Sequence, residues 1–132
     1  DILGLLFRAD EVRAAGKTVH PPDLMAEAFG FSRFSTRLAV WSLRSGGHID
    51  REKNGAFRLT DQGRERAAAL VRAHRLWEAY LAKFTALKPD HLHEPAMRLE
   101  HLAEPGLSDE LAQAVGDVHT DPHGKDIPGP AS

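Results

Sequence analysis

The chain has 132 residues and no cysteine. It therefore holds neither a disulfide framework nor a thiolate metal site, and any bound metal must be held by His, Asp, Glu, Met or backbone oxygen. No apolar run approaches the ~18 residues of a membrane span, and no basic-then-apolar leader is present, so no direct membrane insertion of this segment is expected. Gly-rich phosphate loops, a nucleophile elbow and an HExxH pair are all missing. Glu100 and His101 are neighbours, but no serine is placed beside them as a nucleophile, so an enzyme is not expected. The missing cysteines suit a cytoplasmic location. The chain opens on Asp1 rather than Met, which is compatible with a piece of a longer polypeptide.

A large excess of one charge is lacking too, because the formal net charge is -2. The charge is nevertheless unevenly spread. Residues 31–72 carry nine Lys/Arg against four Asp/Glu, and residues 78–121 carry three against nine. A basic half can meet phosphate, and an acidic half can hold a divalent cation.

Hydrophobic residues make up 42% and charged residues 27% of the chain, an ordinary balance for a soluble globular domain. The stretch DILGLLFRADEVRAAG predicts a helix ending near Gly16. KTVHPPDLMAEAFG predicts a second helix, from the prolines to Gly30. FSRFSTRLAVWSLRSGG predicts a third, capped by Ser32 and stopped at Gly46-Gly47. HIDREKNGAFRLT then carries two strand-like pieces about an Asn-Gly, a strong hairpin signal. Three helices followed by a hairpin is the order of a winged helix-turn-helix.

Thr60 opens a long helix in which Leu70, His74, Trp77, Leu81 and Phe84 recur at helical spacing. That bulky stripe calls for cover from later helices and from a second copy, so a homodimer is expected. LSDELAQAVG predicts a last short helix, with Ser108 as cap and Gly116 as stop. DVHTDPHGKDIPGPAS, rich in Pro and Gly, predicts an extended tail. The expected fold is mostly α: a winged helix-turn-helix over 1–66, a helical metal-binding and dimerisation region over 67–116, and a tail over 117–132.

On a helix turning ~100° per residue, His93, Met97, Glu100 and His101 fall within one arc, while Arg98 and Leu99 point elsewhere. His74 and Glu78, four apart, also share a side, a spacing at which two side chains can chelate without rearranging the backbone. The pattern fits either a divalent metal site or a solvated acidic face with scattered histidines. Imidazole and carboxylate suit manganese, iron and zinc, and the thioether tilts the set toward iron or later metals. Pro95 disfavours helical geometry at Glu94, so His93 is expected to lie outside the helix that follows. His119 and His123 in the tail could bind metal too, although tail histidines are more often exposed to solvent.

The segments LTDQGRERAAALVRAHRLWEAYLAKF, LHEPAMRLEHL, LSDEL and DPHGKDIPGP, in that order, resemble the diphtheria-toxin-repressor family of iron- and manganese-dependent transcriptional repressors. The resemblance covers nearly the whole chain. It implies a winged-helix DNA-binding domain, a helical dimerising domain, and a divalent metal bound between them that selects the DNA-competent arrangement. Mn or Fe is favoured as the metal, and Zn is possible. The resemblance puts ancillary ligands on His74, Glu78 and His93, and primary ligands on Asp1, Met97, Glu100 and His101. Gly4 and Met97 stand where manganese-type members have acids, and Met97 stands where iron-type members have cysteine.

For duplex DNA, the third helix offers Ser32, Arg33, Ser35 and Arg37, and the wing offers Arg51, Lys53 and Arg58. Leu38 and Trp41 depart from the pattern: family repressors tend to carry polar or small residues there, whereas Val40 and Leu43 already supply the buried face. An apolar pair of that kind suits a protein contact better than phosphate. His48 stands where an apolar residue is usual. VRAHRLWEAYLA and DPHGKDIP also resemble the repressor-like modules fused to manganese- and zinc-type ABC transporter permeases. That alternative implies a metal-sensing domain at the cytoplasmic face of the inner membrane, joined N-terminally to a transporter and binding no operator.

Overall fold

The computed structural model describes residues 2–14, 33–53, 55, 57–99, 105–116 and 118–130. Helix α1 spans Ile2–Ala14, α2 Arg33–Ser45, α3 Asp61–Phe84, α4 His93–Leu99 and α5 Pro105–Val115. A 3-10 turn at Pro89–His91 precedes α4. One antiparallel hairpin, β1 (Ile49–Arg51) with β2 (Phe57–Leu59), is the only sheet among the described residues. The helix expected between Pro21 and Gly30 lies outside the described residues, as does the Ser32 cap. The chain divides into two compact units, residues 1–67 and 68–132.

In the first unit α1 packs on β2 and α2 packs on β1. Leu3, Leu6, Ile49, Leu59 and Ala67 are buried there. The hairpin register pairs Ile49 with Leu59, so both of these apolar side chains are buried while Asp50 and Arg58 face solvent. Its turn relies on Gly55, whose φ of +85° lies in the region that L side chains avoid. Thr60 begins α3 as a true cap. Its hydroxyl accepts a bond from the Gly63 amide at 3.0 Å and donates to the Gly47 carbonyl at 2.6 Å. Arg64 reaches Asp10 of α1 at 2.9 Å.

The second unit has a core of Leu76, Ala79, Leu111 and Val115, with Trp77, Tyr80, Leu107, Ala112 and Ile127 against it. Within a single chain the predicted stripe on α3 is covered unevenly. Val71, Leu76 and Ala79 are buried, whereas Leu70, Trp77 and Leu81 are half-buried and Phe84 is exposed. Lys83 closes the end of α5 by donating to the carbonyls of Ala114 and Val115.

Three local expectations change. Helix α5 begins at Pro105, a residue suited to the first helical turn because it has no amide proton to satisfy there. Ser108 is thus interior and not a cap. Helix α4 begins at His93 rather than after it, because Pro95 also falls in a first turn, where its missing donor costs nothing.

The third change concerns the segment after Gly116, which is not an extended tail over its described residues. The Asp121 carboxylate accepts the amides of His123 and Lys125, and its own amide donates to the Lys125 carbonyl. Buried Arg75 of α3 faces Asp121 at 3.8 Å and donates to the Asp126 carbonyl, while Arg72 donates to Pro128. Composition argued for a free coil, but two arginines of α3 bind the turn down.

Candidate metal centre

His74 and Glu78 lie one turn apart on α3 and both are buried, each 2% exposed. His93, at the start of α4, brings a third donor. His74 Nε2 is 3.1 Å from Glu78 Oε1 and 3.0 Å from His93 Nδ1, and His93 Nδ1 is 3.2 Å from the same Glu78 oxygen. The two imidazoles meet edge to face, with centroids 4.7 Å apart. Three polar atoms thus form a nearly equilateral triangle.

A hydrogen bond needs one proton between two heavy atoms, and each ring nitrogen has at most one proton to aim. Protons can therefore satisfy at most two of the three edges, and the third sets like atoms against each other. A cation removes the conflict, since all three lone pairs can point at it. Donors bound to one cation at ~2.0–2.2 Å stand roughly 3 Å apart, which matches the spacing here. Two imidazoles and a carboxylate suit zinc, iron and manganese.

The electrostatics agree. Burial alone would raise the pKa of Glu78. The hydrogen bond and charge of His74, the hydrogen bond of His93 and the charge of His123 outweigh it and hold the carboxyl below its ordinary 4.5. A carboxyl depressed in the folded state contributes stability that is complete above its unfolded value and fades as the pH drops through the folded one. Glu78→Gln should accordingly flatten the loss of urea stability below about pH 4.5, read from metal-free denaturation midpoints. An acid limb identical to the parent's would remove Glu78 as its source.

Of the other expected ligands, Met97 lies four residues beyond His93 on α4 and is exposed. Asp1, Glu100 and His101 lie outside the described residues. The turn after α5 places His123 Nε2 at 3.9 Å from Glu78 Oε1. His123 is exposed, as expected of a tail histidine, yet its ring nitrogen comes near the buried carboxylate. It lies in the turn whose Asp121 bonds its amide and pairs with Arg75, and local spacing does not reveal that approach.

Of the residues expected to face DNA, Ser35 and Arg37 are exposed on α2. Arg51, Lys53 and Arg58 are exposed on the wing, Arg58 with Asp50 at 3.8 Å. Ser32 and the side chain of Arg33 lie outside the described residues. His48 is half-buried, with Arg66 at 2.9 Å from its Nε2.

A small helix-and-hairpin unit is thus followed by helices that bring two buried donors, His74 and Glu78, together with an exposed one, His93. Residues 60–129 match the metal-binding and dimerisation domain of iron-dependent repressors, and the chain belongs to that family. A probable metal transport system membrane protein of Chlamydia trachomatis is 44% identical over 70 residues, covering 53% of this chain and 16% of that protein. The diphtheria toxin repressor of Corynebacterium glutamicum is 33% identical over 82 residues, 62% of this chain and 35% of that one. Among solved structures, a manganese-dependent transcriptional repressor in complex with manganese superposes with a TM-score of 0.85. It is 32% identical, over 98% of this chain and 57% of its own. The chain thus spans only part of each relative's length.

Proposed function

We propose that this chain is a metal-responsive winged-helix regulator of metal-ion homeostasis that forms a homodimer and binds duplex DNA when a divalent ion is held. Manganese or iron is favoured and zinc is possible. The observation that carries the proposal is the His74–Glu78–His93 triangle, whose three edges a cation can satisfy together and protons cannot. His123 approaches the same carboxylate and can complete the set. Met97, Glu100 and His101, with Asp1, are proposed as a second set. Dimerisation is supported by the family match and by the exposed Phe84 and Leu87 at the end of α3 and beyond it. A cation that binds one conformation more tightly than another shifts the population toward it, which is how metal would reach the DNA-binding surface.

For DNA, Ser35 and Arg37 of α2 and Arg51, Lys53 and Arg58 of the wing supply groups for groove and phosphate. Affinity for promoter duplex should require Mn²⁺ or Fe²⁺ and fall steeply with salt, and Arg51→Ala should reduce the salt slope by about one. Glu100→Ala and His101→Ala should each abolish metal-dependent binding, read by fluorescence anisotropy. Undetectable duplex affinity at low salt with metal present would overturn DNA binding and leave the metal site standing.

One observation favours a second output. Leu38 and Trp41 are exposed on α2, where apolar side chains do little for phosphate. The match to the chlamydial protein, described as a metal transport system membrane protein, points to a metal-sensing regulatory domain at the cytoplasmic face of a metal transporter.

A further inference from the structure

Helix α2 is apolar on two opposite sides. Thr36, Ala39, Val40 and Leu43 are half-buried on the side toward β1. At ~100° per residue, Phe34, Leu38 and Trp41 fall within about 60° of one another and roughly opposite that packed side. They are 71%, 51% and 68% exposed. A stripe diametrically opposed to the packed face lies apart from the core formed by the described residues of this unit. Beside it stand Arg37 and Arg44, both exposed, and α2 contains no acidic residue.

We propose that this stripe seats α2 on the surface of an anionic lipid bilayer, with Phe34, Leu38 and Trp41 at the headgroup–acyl boundary and Arg37 and Arg44 on the phosphates. Trp, Phe and Leu on one side of a helix with arginines along one edge of that stripe fits a helix lying in the interface plane. The charge is complementary, since juxtamembrane cations are drawn to anionic headgroups. The surface is a convex helix side, which fits a deformable bilayer. The proposal rests on the transporter output, and the chlamydial relative supplies the setting: a membrane protein of which this chain matches 16%. No described helix is long and apolar enough to cross a membrane, so the contact is peripheral.

The test uses the full chain loaded with Mn²⁺ and vesicles of phosphatidylcholine with or without phosphatidylglycerol. The chain has two tryptophans. Trp77 lies against the second core, so Trp41 is the reporter. Its emission should shift to the blue, and the chain should co-sediment, with anionic vesicles only. Phe34→Ser/Trp41→Ser and Arg37→Glu/Arg44→Glu should each weaken co-sedimentation about tenfold or more, without changing the thermal midpoint.

Equal partitioning onto neutral vesicles, or none onto anionic ones, overturns the membrane contact. Retention by the transporter in detergent, lost in the Phe34→Ser/Trp41→Ser chain while the lipid vesicles stay bare, overturns it in favour of a protein partner. Failure of the transporter output itself is seen separately, as metal-dependent duplex binding that the Trp41→Ser change removes.

Discussion

Glu78→Ala is expected to abolish the rise in thermal midpoint that Mn²⁺ or Zn²⁺ gives the parent chain. A ligand that binds only the folded state stabilises it by ~2.7 kcal/mol when present at about a hundredfold excess over its Kd. For a chain of 132 residues that corresponds to roughly 10 °C. Glu78 carries this effect because its oxygen is a vertex of the triangle and the one anionic atom in it. Removing it leaves two imidazoles facing a cavity, with no charge to offset a dication. Glu78→Gln keeps the shape and an acceptor but loses the charge, and should lose most of the metal effect too. A Glu78→Gln chain whose midpoint still rises with metal as the parent's does would show that the ion is held elsewhere. A parent chain that metal leaves unshifted would end the metal-centre proposal.

Gly63→Ala is expected to be the most damaging small substitution in the first unit. Helix propensity alone predicts the opposite sign, because alanine is favoured over glycine within a helix by ~1 kcal/mol. A Cβ at Gly63 would stand 1.8 Å from the carbonyl oxygen of His48 and 2.7 Å from its carbonyl carbon. Both are backbone atoms, so no side-chain rotation relieves the overlap. That carbonyl also accepts the Thr60 amide at 3.1 Å, so pushing it away strains the join between the hairpin and the start of α3. The loss should reach ~3 kcal/mol or more, several times the propensity gain. Urea denaturation of the two chains measures it, and a variant as stable as the parent would mean that α3 and the hairpin can separate without cost.

Much of the His74–Glu78–His93 cluster was legible from sequence. His74 and Glu78 follow from helical geometry alone, because residues four apart share a side wherever the helix goes. His93 stood out by its spacing with Met97, Glu100 and His101, and its grouping with His74 and Glu78 came from the resemblance. The structure supplies its position at the first turn of α4, where Pro95 is harmless. The nearness of His123 to Glu78 was not legible, because His123 sits in the turn around Asp121, which pairs with Arg75, 46 positions earlier in the chain.

By itself the sequence determined the order of the described helices and hairpin, the turn at Gly55, the capped start of α3 at Thr60 and the pairing of His74 with Glu78. All of these rest on interactions within a few residues, where backbone geometry leaves few choices. Tertiary structure alone decided that Gly63 must lack a side chain, that the turn around Asp121 is bound to α3, and that Phe34, Leu38 and Trp41 are left uncovered. Each depends on which distant surfaces meet, and periodicity along one helix does not say which of two apolar sides will find a partner.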